Sequence, residues 1–349
     1  MNIQQAIEAV IQQQDLSGET MEHVMRTIMT GEATPAQIAG LLVALRIKGE
    51  TVNEIAAAAT VMRELATAVH VNGEHLVDIV GTGGDGAKLF NVSTASSFVA
   101  AVAGCQVAKH GNRSVSSSSG AADVLEAAGV RLDITAAQVA HCIDQVGVGF
   151  MFAQNHHGAM KHAIGPRKEL ATRTLFNVLG PITNPAGVKN QLLGVYSADL
   201  VRPIADVLKQ LGSDHVMVVH SVDGLDEISL AAETLVAELV NGDITEYRIS
   251  PIQVGIEPAA IECLAVTDAK ASFDLIKSVL GKKKSAITPT QQAAADIISL
   301  NAGAAIYVAG RADDWQQGVT MAQDIIAAGT AFEKITELAD FTAMLKSAE

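Results

Sequence analysis

Cationic charge, aromatic rings and cysteine are all scarce in this chain. Lysine and arginine number 24 against 38 aspartates and glutamates over 349 residues, a formal net charge of −14. That balance excludes a protein built to hold nucleic acid along a basic face. The short basic run Lys282–Lys284 reads as a solvated polar turn. Aromatics make up 3% of the chain although 49% is hydrophobic, so the core must consist mainly of Ala, Val, Leu and Ile. Such a core suits packed helices and an α/β sheet better than a β-sandwich. Cys105, Cys142 and Cys263 lie far apart without C-x-x-C spacing and read as reduced core residues. No run approaches the ~18 uninterrupted apolar residues of a membrane span. The N-terminal MNIQQAIEAV has neither the basic start nor the apolar stretch of a secretion signal. The expectation is a cytoplasmic protein with no membrane or nucleic-acid partner.

What is present changes character along the chain. Residues 1 to about 70 carry helix signals alone. In TPAQIAGLLVALRIKG, Thr34 stands at an N-cap, Pro35 at the first helical position and Gly49 just past the end. In TVNEIAAAATVMRELA, Thr51 and Glu54 make a capping-box pattern before an apolar helical run. From His75 the text becomes strand, glycine-rich loop and helix in turn. HLVDIV, QVAKHG, GFMFA, NQLLGVYS and HVMVVHS are short apolar runs. STASSFVAAVAG, AADVLEAAG, TAAQVAHCIDQVG and DLVRPIADVLKQLG are the helical stretches between them. This alternation predicts an α/β fold: a small N-terminal all-helical domain plus a larger α/β domain with a central, mostly parallel sheet flanked by helices. Shorter strands around Asn241-Gly242-Asp243 predict a flanking antiparallel element, and a helical tail begins at Thr288-Pro289. Ligands of such sheets bind beyond the carboxyl ends of the strands. That is where the polar, glycine-rich text lies.

The first of these loops, HLVDIVGTGGDGAKLFNVSTASS, fits G-x-G-x-x-G at Gly81, Gly83 and Gly86. A dinucleotide fingerprint opens its helix inside the glycines and places an acid about 20 residues on. Here the helix waits until NVSTASS, the next strand ends in Lys109-His110, and Asp85 inside the loop would repel a bare pyrophosphate. What remains is an anion cradle of backbone N–H groups, the Ser93 and Thr94 hydroxyls and a helix N-terminus. The alternative is a tight turn followed by an N-cap Ser or Thr. KHGNRSVSSSSGAADVLEAAG sets Lys109, His110, Asn112 and Arg113 beside a serine-rich turn and a second helix start, which again suits phosphate oxygens. In VVHSVDGLDEISL, Asp226 and Glu227 follow a strand end. Facing a phosphate site, they suit Mg2+, which takes a few carboxylates plus substrate phosphates. HHGAMKHAIGPRKELATRTLFNVLGPITNP carries several cations, then an apolar turn and two Pro-flanked bends, and Arg167 or a neighbour can pair an anionic organic substrate. His156, His157 and His162 lack a cysteine or carboxylate at zinc-ligand spacing.

Taken in order, GTGGD, NVSTA, KHGNR, the serine-rich turn before ADVLEAAG, RTLFNVLGPITNP and DGLDEIS resemble the anthranilate phosphoribosyltransferase family, colinearly over essentially the whole chain. The resemblance implies transfer of a phosphoribosyl group from phosphoribosyl pyrophosphate (PRPP) to the amine of anthranilate. The products are N-(5′-phosphoribosyl)anthranilate and pyrophosphate, the second step of tryptophan biosynthesis from chorismate. It implies a helical domain over residues 1–70 with a returning segment near 168–190, an α/β domain over 71–349, and a cleft site between them. It also implies a homodimer formed through the helical domain, and Mg2+ as cofactor. On the matching positions, Gly81, Gly84, Asp85, Asn91, Val92, Ser93 and Thr94 form one wall of the PRPP site. Lys109, His110, Gly111, Asn112, Arg113, Ser114, Val115, Ser116, Ser117 and Ala121 wrap its ribose phosphate and pyrophosphate. Gly81, Asn112 and Arg167 meet anthranilate; Ser93, Asp226 and Glu227 hold the metal; His110 is the one candidate general base. Two positions depart from the family's pattern: Leu89 where Thr is frequent, and Ala121 where a Ser hydroxyl is common. A pyrimidine nucleoside phosphorylase shares this broad architecture but has no need of the Asp226-Glu227 pair.

Overall fold

Each of the first four helices starts beside a short polar side chain that takes up one of its free N–H groups. The structure, a computed structural model, describes residues 1–84, 86–114, 119–282 and 286–345. In it α1 (Ile3–Ile11), α2 (Gly18–Met29), α3 (Pro35–Lys48) and α4 (Val52–Glu64) are capped by Asn2, Ser17, Thr34 and Thr51. Both capping residues read from the sequence hold, and Gly49 ends α3 at φ 86°. Glu54 does more than cap. Fully buried, its carboxylate also accepts from the Leu16 N–H at 2.9 Å and pairs with Lys48 at 3.0 Å, tying the α1–α2 connection to α3 and α4. No strand precedes residue 76.

The alternating region follows as β1 (Leu76–Gly81), α5 (Val92–Val102), β2 (Gln106–Gly111), α6 (Ala121–Ala127), α7 (Ala136–Val146) and β3 (Val148–Phe152). Then come α8 (Ala153–His156), α9 (Lys161–Leu170), α10 (Phe176–Leu179), β4 (Asn190–Gly194), α11 (Val201–Gln210) and β5 (His215–Ser221). A hairpin of β6 (Thr234–Val240) and β7 (Asp243–Ile249) precedes α12 (Ala269–Leu280), α13 (Pro289–Val308), α14 (Trp315–Ala328) and α15 (Ala331–Met344). One sheet runs in the order β3-β2-β1-β4-β5-β6-β7. The first five strands are mutually parallel, and β6 and β7 add antiparallel. Asn241 and Gly242, at φ 49° and 90°, make the positive-φ turn that matches hairpin twist.

Side chains alternate along the strands, so each sheet face builds its own core. Val77, Ile79, Val107, Leu192, Met217 and Val219 pack with α5, α12 and α13. Leu193, Val195, Val216 and Val218 pack with α11 and the helical bundle. Leu175, Phe176, Val178, Leu179 and Ile182 join this second core with α1–α4. Two readings need correcting. Residues 161–170 are helical, with Pro166 inside α9, and Phe176–Leu179 is a helical turn, so the segment is not merely an apolar turn with Pro-flanked bends. Cys105 and Cys142 are buried thiols, but Cys263 is exposed and so is not a core residue. Lys282 lies on the surface paired to Glu333 at 2.8 Å; Lys283 and Lys284 fall outside the described residues.

Candidate active site at the strand switch point

From β1 the chain proceeds outward through β2 to β3, then returns to the other side of β1 with β4. That reversal opens a crevice beyond the carboxyl ends of β1 and β4, the place where open α/β sheets bind ligands. Gly81 ends β1 and Gly194 ends β4, paired in register. The loop after β5 crosses over them. A Cβ on Gly194 would overlap the Asp226 carbonyl, and one on Gly81 would overlap the Asp226 carboxylate. Two strand-end glycines therefore let the acidic loop pass over β4, and the Gly83 N–H donates to Asp226 Oδ2 at 2.6 Å. Gly83, Gly84 and Gly86 all take positive φ, which bends the first loop toward this contact. Asn301, buried in α13, clamps the acidic loop from behind. It accepts from the Ile228 N–H and donates to the Ile228 carbonyl, both at 2.9 Å.

The helix after the glycine loop begins at Val92, as late as the sequence suggested, but its N-cap is Asn91 rather than Ser93 or Thr94. Asn91 Oδ1 accepts from the Thr94 N–H at 2.9 Å and from Ser93 Oγ at 3.2 Å. Val92 packs into the core. Lys109 Nζ donates to Ser93 Oγ at 3.2 Å and to the Ile79 carbonyl at 2.6 Å. Burial pushes the Lys109 ammonium down from its ordinary pKa, opposed by the negative charges of Asp78 and Glu227. Lys109 thus bonds Ser93 in the first turn of α5 and feels the Glu227 charge, while Asp226 is bonded to the Gly-rich loop at Gly83. Two carboxylates and a hydroxyl are hard oxygen donors that leave positions for phosphate oxygens and water, which fits Mg2+. Among the described residues no three or more His, Cys, Asp and Glu side chains gather into a metal cage.

The second wall forms where β2 meets α6. A Cβ on Gly120 would overlap the backbone of Asn112–Ser114, so that turn closes directly onto the start of α6. Asp123 Oδ2 accepts from the Ser114 and Gly120 N–H groups at 2.9 and 3.0 Å. Asn112 Oδ1 accepts from the Arg113 N–H at 2.8 Å, and Ala121 lies against Gly111. Arg113 is engaged by Glu126 and, at 3.2 Å, by Asp123, so its charge is largely neutralised locally. Asp85, Val115, Ser116 and Ser117 fall outside the described residues. Thr94 Oγ1, Ser119 Oγ, His110 Nε2 and His157 Nε2 are buried without a hydrogen-bond partner among the described residues. Each is costly to leave unmet, so a polar ligand or water beside it is favoured. Burial holds His110 well below the ordinary histidine range, with His157 and His156 adding to the effect, so its imidazole is neutral.

Arg167, on α9, lies over the Phe176 ring, 5.2 Å from its centroid, and is half-buried. Burial lowers its pKa. A desolvated guanidinium is a receptor for an anion. Leu89 makes a backbone bridge to Ala265, and its side chain packs on the core. Sequence reading missed Asp78, Asn184, Gly194 and Asn301. Most of these carried a visible signal: a charge inside an apolar strand, a glycine at a strand's end, an Asn inside an apolar helix.

Two family models cover the chain. Residues 73–332 match the glycosyl transferase family, a/b domain, and residues 4–66 match its helical bundle domain. The anthranilate phosphoribosyltransferase of Marinomonas sp. (strain MWYL1) is 61% identical over 343 residues, 98% of this chain and 97% of the relative. The chain belongs to the anthranilate phosphoribosyltransferase family. The crystal structure of the family's member from Thermus thermophilus matches with a TM-score of 0.90 at 40% identity, over 97% of this chain and 99% of that one. The family's Saccharomyces cerevisiae member, solved in complex with PRPP and Mg, matches with a TM-score of 0.89 at 26% identity over 98% of both chains.

Proposed function

We propose that the crevice binds PRPP and Mg2+ and transfers the phosphoribosyl group to anthranilate, releasing pyrophosphate, in tryptophan biosynthesis. One observation supports the reading: Lys109 links Ser93 at the start of α5 to the charge of Glu227, and the neighbouring Asp226 accepts from Gly83 in the Gly-rich loop. Mg2+, held by Ser93, Asp226 and Glu227, would neutralise the charge that builds on the departing pyrophosphate. Lys109, buried, and the N–H groups of the Gly-rich loop and α5 hold the same anion. Asn112–Ser114 and the start of α6 at Ala121 wrap the sugar phosphate, and the matching positions Val115, Ser116 and Ser117, outside the described residues, are assigned to the same role. The ribose passes through an oxocarbenium-like state as the bond to pyrophosphate breaks. Arg167 takes the anthranilate carboxylate and aims the amine, with Asn112 and Gly81 beside it. An aromatic amine is a neutral nucleophile at pH 7, so no strong base is required. We assign buried, neutral His110 to positioning.

The same proposal divides the chain into a helical unit of residues 1–70 plus 168–190 and an α/β unit over 71–349. Leu175–Ile182 pack with α1–α4 in a core that continues onto β4, β5 and α11, which supports placing the returning segment with the helical unit. It includes a homodimer through the helical unit, supported by Val43 and Ile47, exposed four residues apart on α3. All three cysteines are free thiols, which suits the reducing cytoplasm.

The test is the double variant Asp226→Ala/Glu227→Ala, followed by the loss of anthranilate fluorescence in the presence of PRPP, with and without Mg2+. We expect Mg2+-dependent turnover to vanish while circular dichroism stays native. Full activity in this variant would overturn the metal assignment.

A further inference from the structure

The Gly-rich loop is held from outside as well as from below. Arg173, in the connection between α9 and α10, donates from its guanidinium to the Gly84 carbonyl. The same guanidinium stacks over the Tyr196 ring, 4.1 Å from its centroid. Tyr196 in turn donates its backbone N–H to Thr82 Oγ1 at 3.0 Å, and the Thr82 N–H donates to the Gly194 carbonyl at 2.9 Å. One arginine thus braces Gly84 directly and Thr82 through a stacked ring. The approach is close: a Cβ on Gly84 would come within 3.3 Å of Arg173 Nη2.

Arg173 is itself held by the helical bundle. Arg46, in the last turn of α3, donates to Thr172 Oγ1 at 2.7 Å and to the Arg173 carbonyl. The path from α3 to the loop therefore runs through Arg46, the Arg173 backbone and the Arg173 guanidinium. Arg173 is exposed and contributes nothing to either core. Among the described residues its partners are Gly84, Tyr196 and Arg46, not Lys109, Arg167 or the acidic pair.

We propose that Arg173 is a positioning residue for PRPP: it fixes Thr82–Gly84 over the crevice and makes that loop's shape depend on where the helical bundle sits. This rests on the reading that the Gly-rich loop cradles PRPP. An exposed residue that spans two units and grips a phosphate loop by a carbonyl sets substrate affinity, because it orders the loop before substrate arrives. It has no contact through which to change the bond-breaking step.

Steady-state kinetics, calorimetric PRPP binding with Mg2+, and amide hydrogen exchange at Thr82–Gly84 test the idea. For Arg173→Ala, KM and Kd for PRPP should rise about tenfold, the scale of one charge-assisted hydrogen bond. In the same variant kcat and the anthranilate KM should stay within about threefold of the parent, with an unchanged Tm. Arg173→Lys should fall between, since an ammonium reaches the carbonyl but does not stack as a plane on Tyr196. Arg46→Ala should act in the same direction, and Arg46→Ala/Arg173→Ala should be no worse than Arg173→Ala alone. Exchange at Thr82–Gly84 should speed up in both single variants. Unchanged PRPP affinity and unchanged exchange, a loss confined to kcat, or fully multiplicative effects in the double variant would overturn the proposal. If the parent enzyme fails to turn over PRPP and anthranilate, the functional reading falls instead, and the exchange measurement alone decides the coupling.

Discussion

Asp78 sits in the middle of β1, fully buried, on the sheet face toward the returning segment. Its carboxylate accepts from the His110 N–H at 3.1 Å and from Asn184 Nδ2 at 2.7 Å, and Asn184 also donates to the Ala108 carbonyl at 2.9 Å. One carboxylate thereby pins β1, the end of β2 and the segment that returns to the helical bundle. Burial raises its pKa from 3.8 to about 6, only partly offset by Lys109 and these hydrogen bonds. A folded-state pKa above the unfolded one means that the folded chain holds the proton more tightly. The resulting stability is full below pH 3.8 and is lost as pH rises through about 6. Asp78→Asn removes that proton linkage. The stability of the parent relative to the variant, measured by urea unfolding, should fall between pH 4 and pH 7 by on the order of 2–3 kcal/mol. A flat difference across that range would mean that Asp78 titrates like an ordinary surface carboxylate.

At the scale of elements, the site depends on how helices are tied to strand ends. α13 is apolar around most of its surface, so a buried Asn301 within it must satisfy its amide locally. It does so by bonding both backbone groups of Ile228 and the Ile297 carbonyl, which holds the residue directly after Glu227. Asn301→Leu keeps the branched shape of the side chain and leaves both Ile228 groups buried without this partner. The cost should be about 2–4 kcal/mol in chemical unfolding, the penalty of two stranded backbone groups. Alongside it, the Mg2+ concentration for half-maximal rate should rise. A stable variant with an unchanged Mg2+ requirement would show that the acidic loop is held by Gly83, Gly81 and Gly194 alone.

For the whole molecule, a chain of net charge −14 must receive two anionic substrates. With Arg113 engaged by Glu126 and Asp123, the cations left to reverse the local field are chiefly Lys109 and Arg167, each desolvated and so felt strongly at short range. The cleft also needs its two walls kept in place, which is where assembly enters. Ile47 is 73% exposed and Val43 37% exposed on one face of α3. In the proposed dimer that face is covered. Ile47→Glu should shift sedimentation toward a monomer; a parent protein that is monomeric at micromolar concentration would remove the dimer from the proposal.

Much of the fold was legible beforehand because it rests on local rules. Thr34, Thr51 and Thr288 are caps wherever they occur before an apolar helical run, and alternating strand and helix text allows few sheet arrangements. The order of the site motifs along the chain was enough to name the family. Asn91 does not stand out as the cap in the sequence because Ser93 and Thr94 have similar capping ability, and only the packed start of α5 selects among them. The amino-acid sequence by itself determined most element types outside residues 161–179, the mostly parallel sheet and the chemical classes of the site residues, since these follow from propensity, periodicity and side-chain chemistry. Tertiary structure decided which distant groups meet. It carried Asp226 over Gly194 onto Gly83, engaged Arg113 with Glu126 and Asp123, laid Arg167 over Phe176, and set Arg173 between α3 and the Gly-rich loop. Those outcomes depend on strand order and on close backbone approach, which no local pattern encodes.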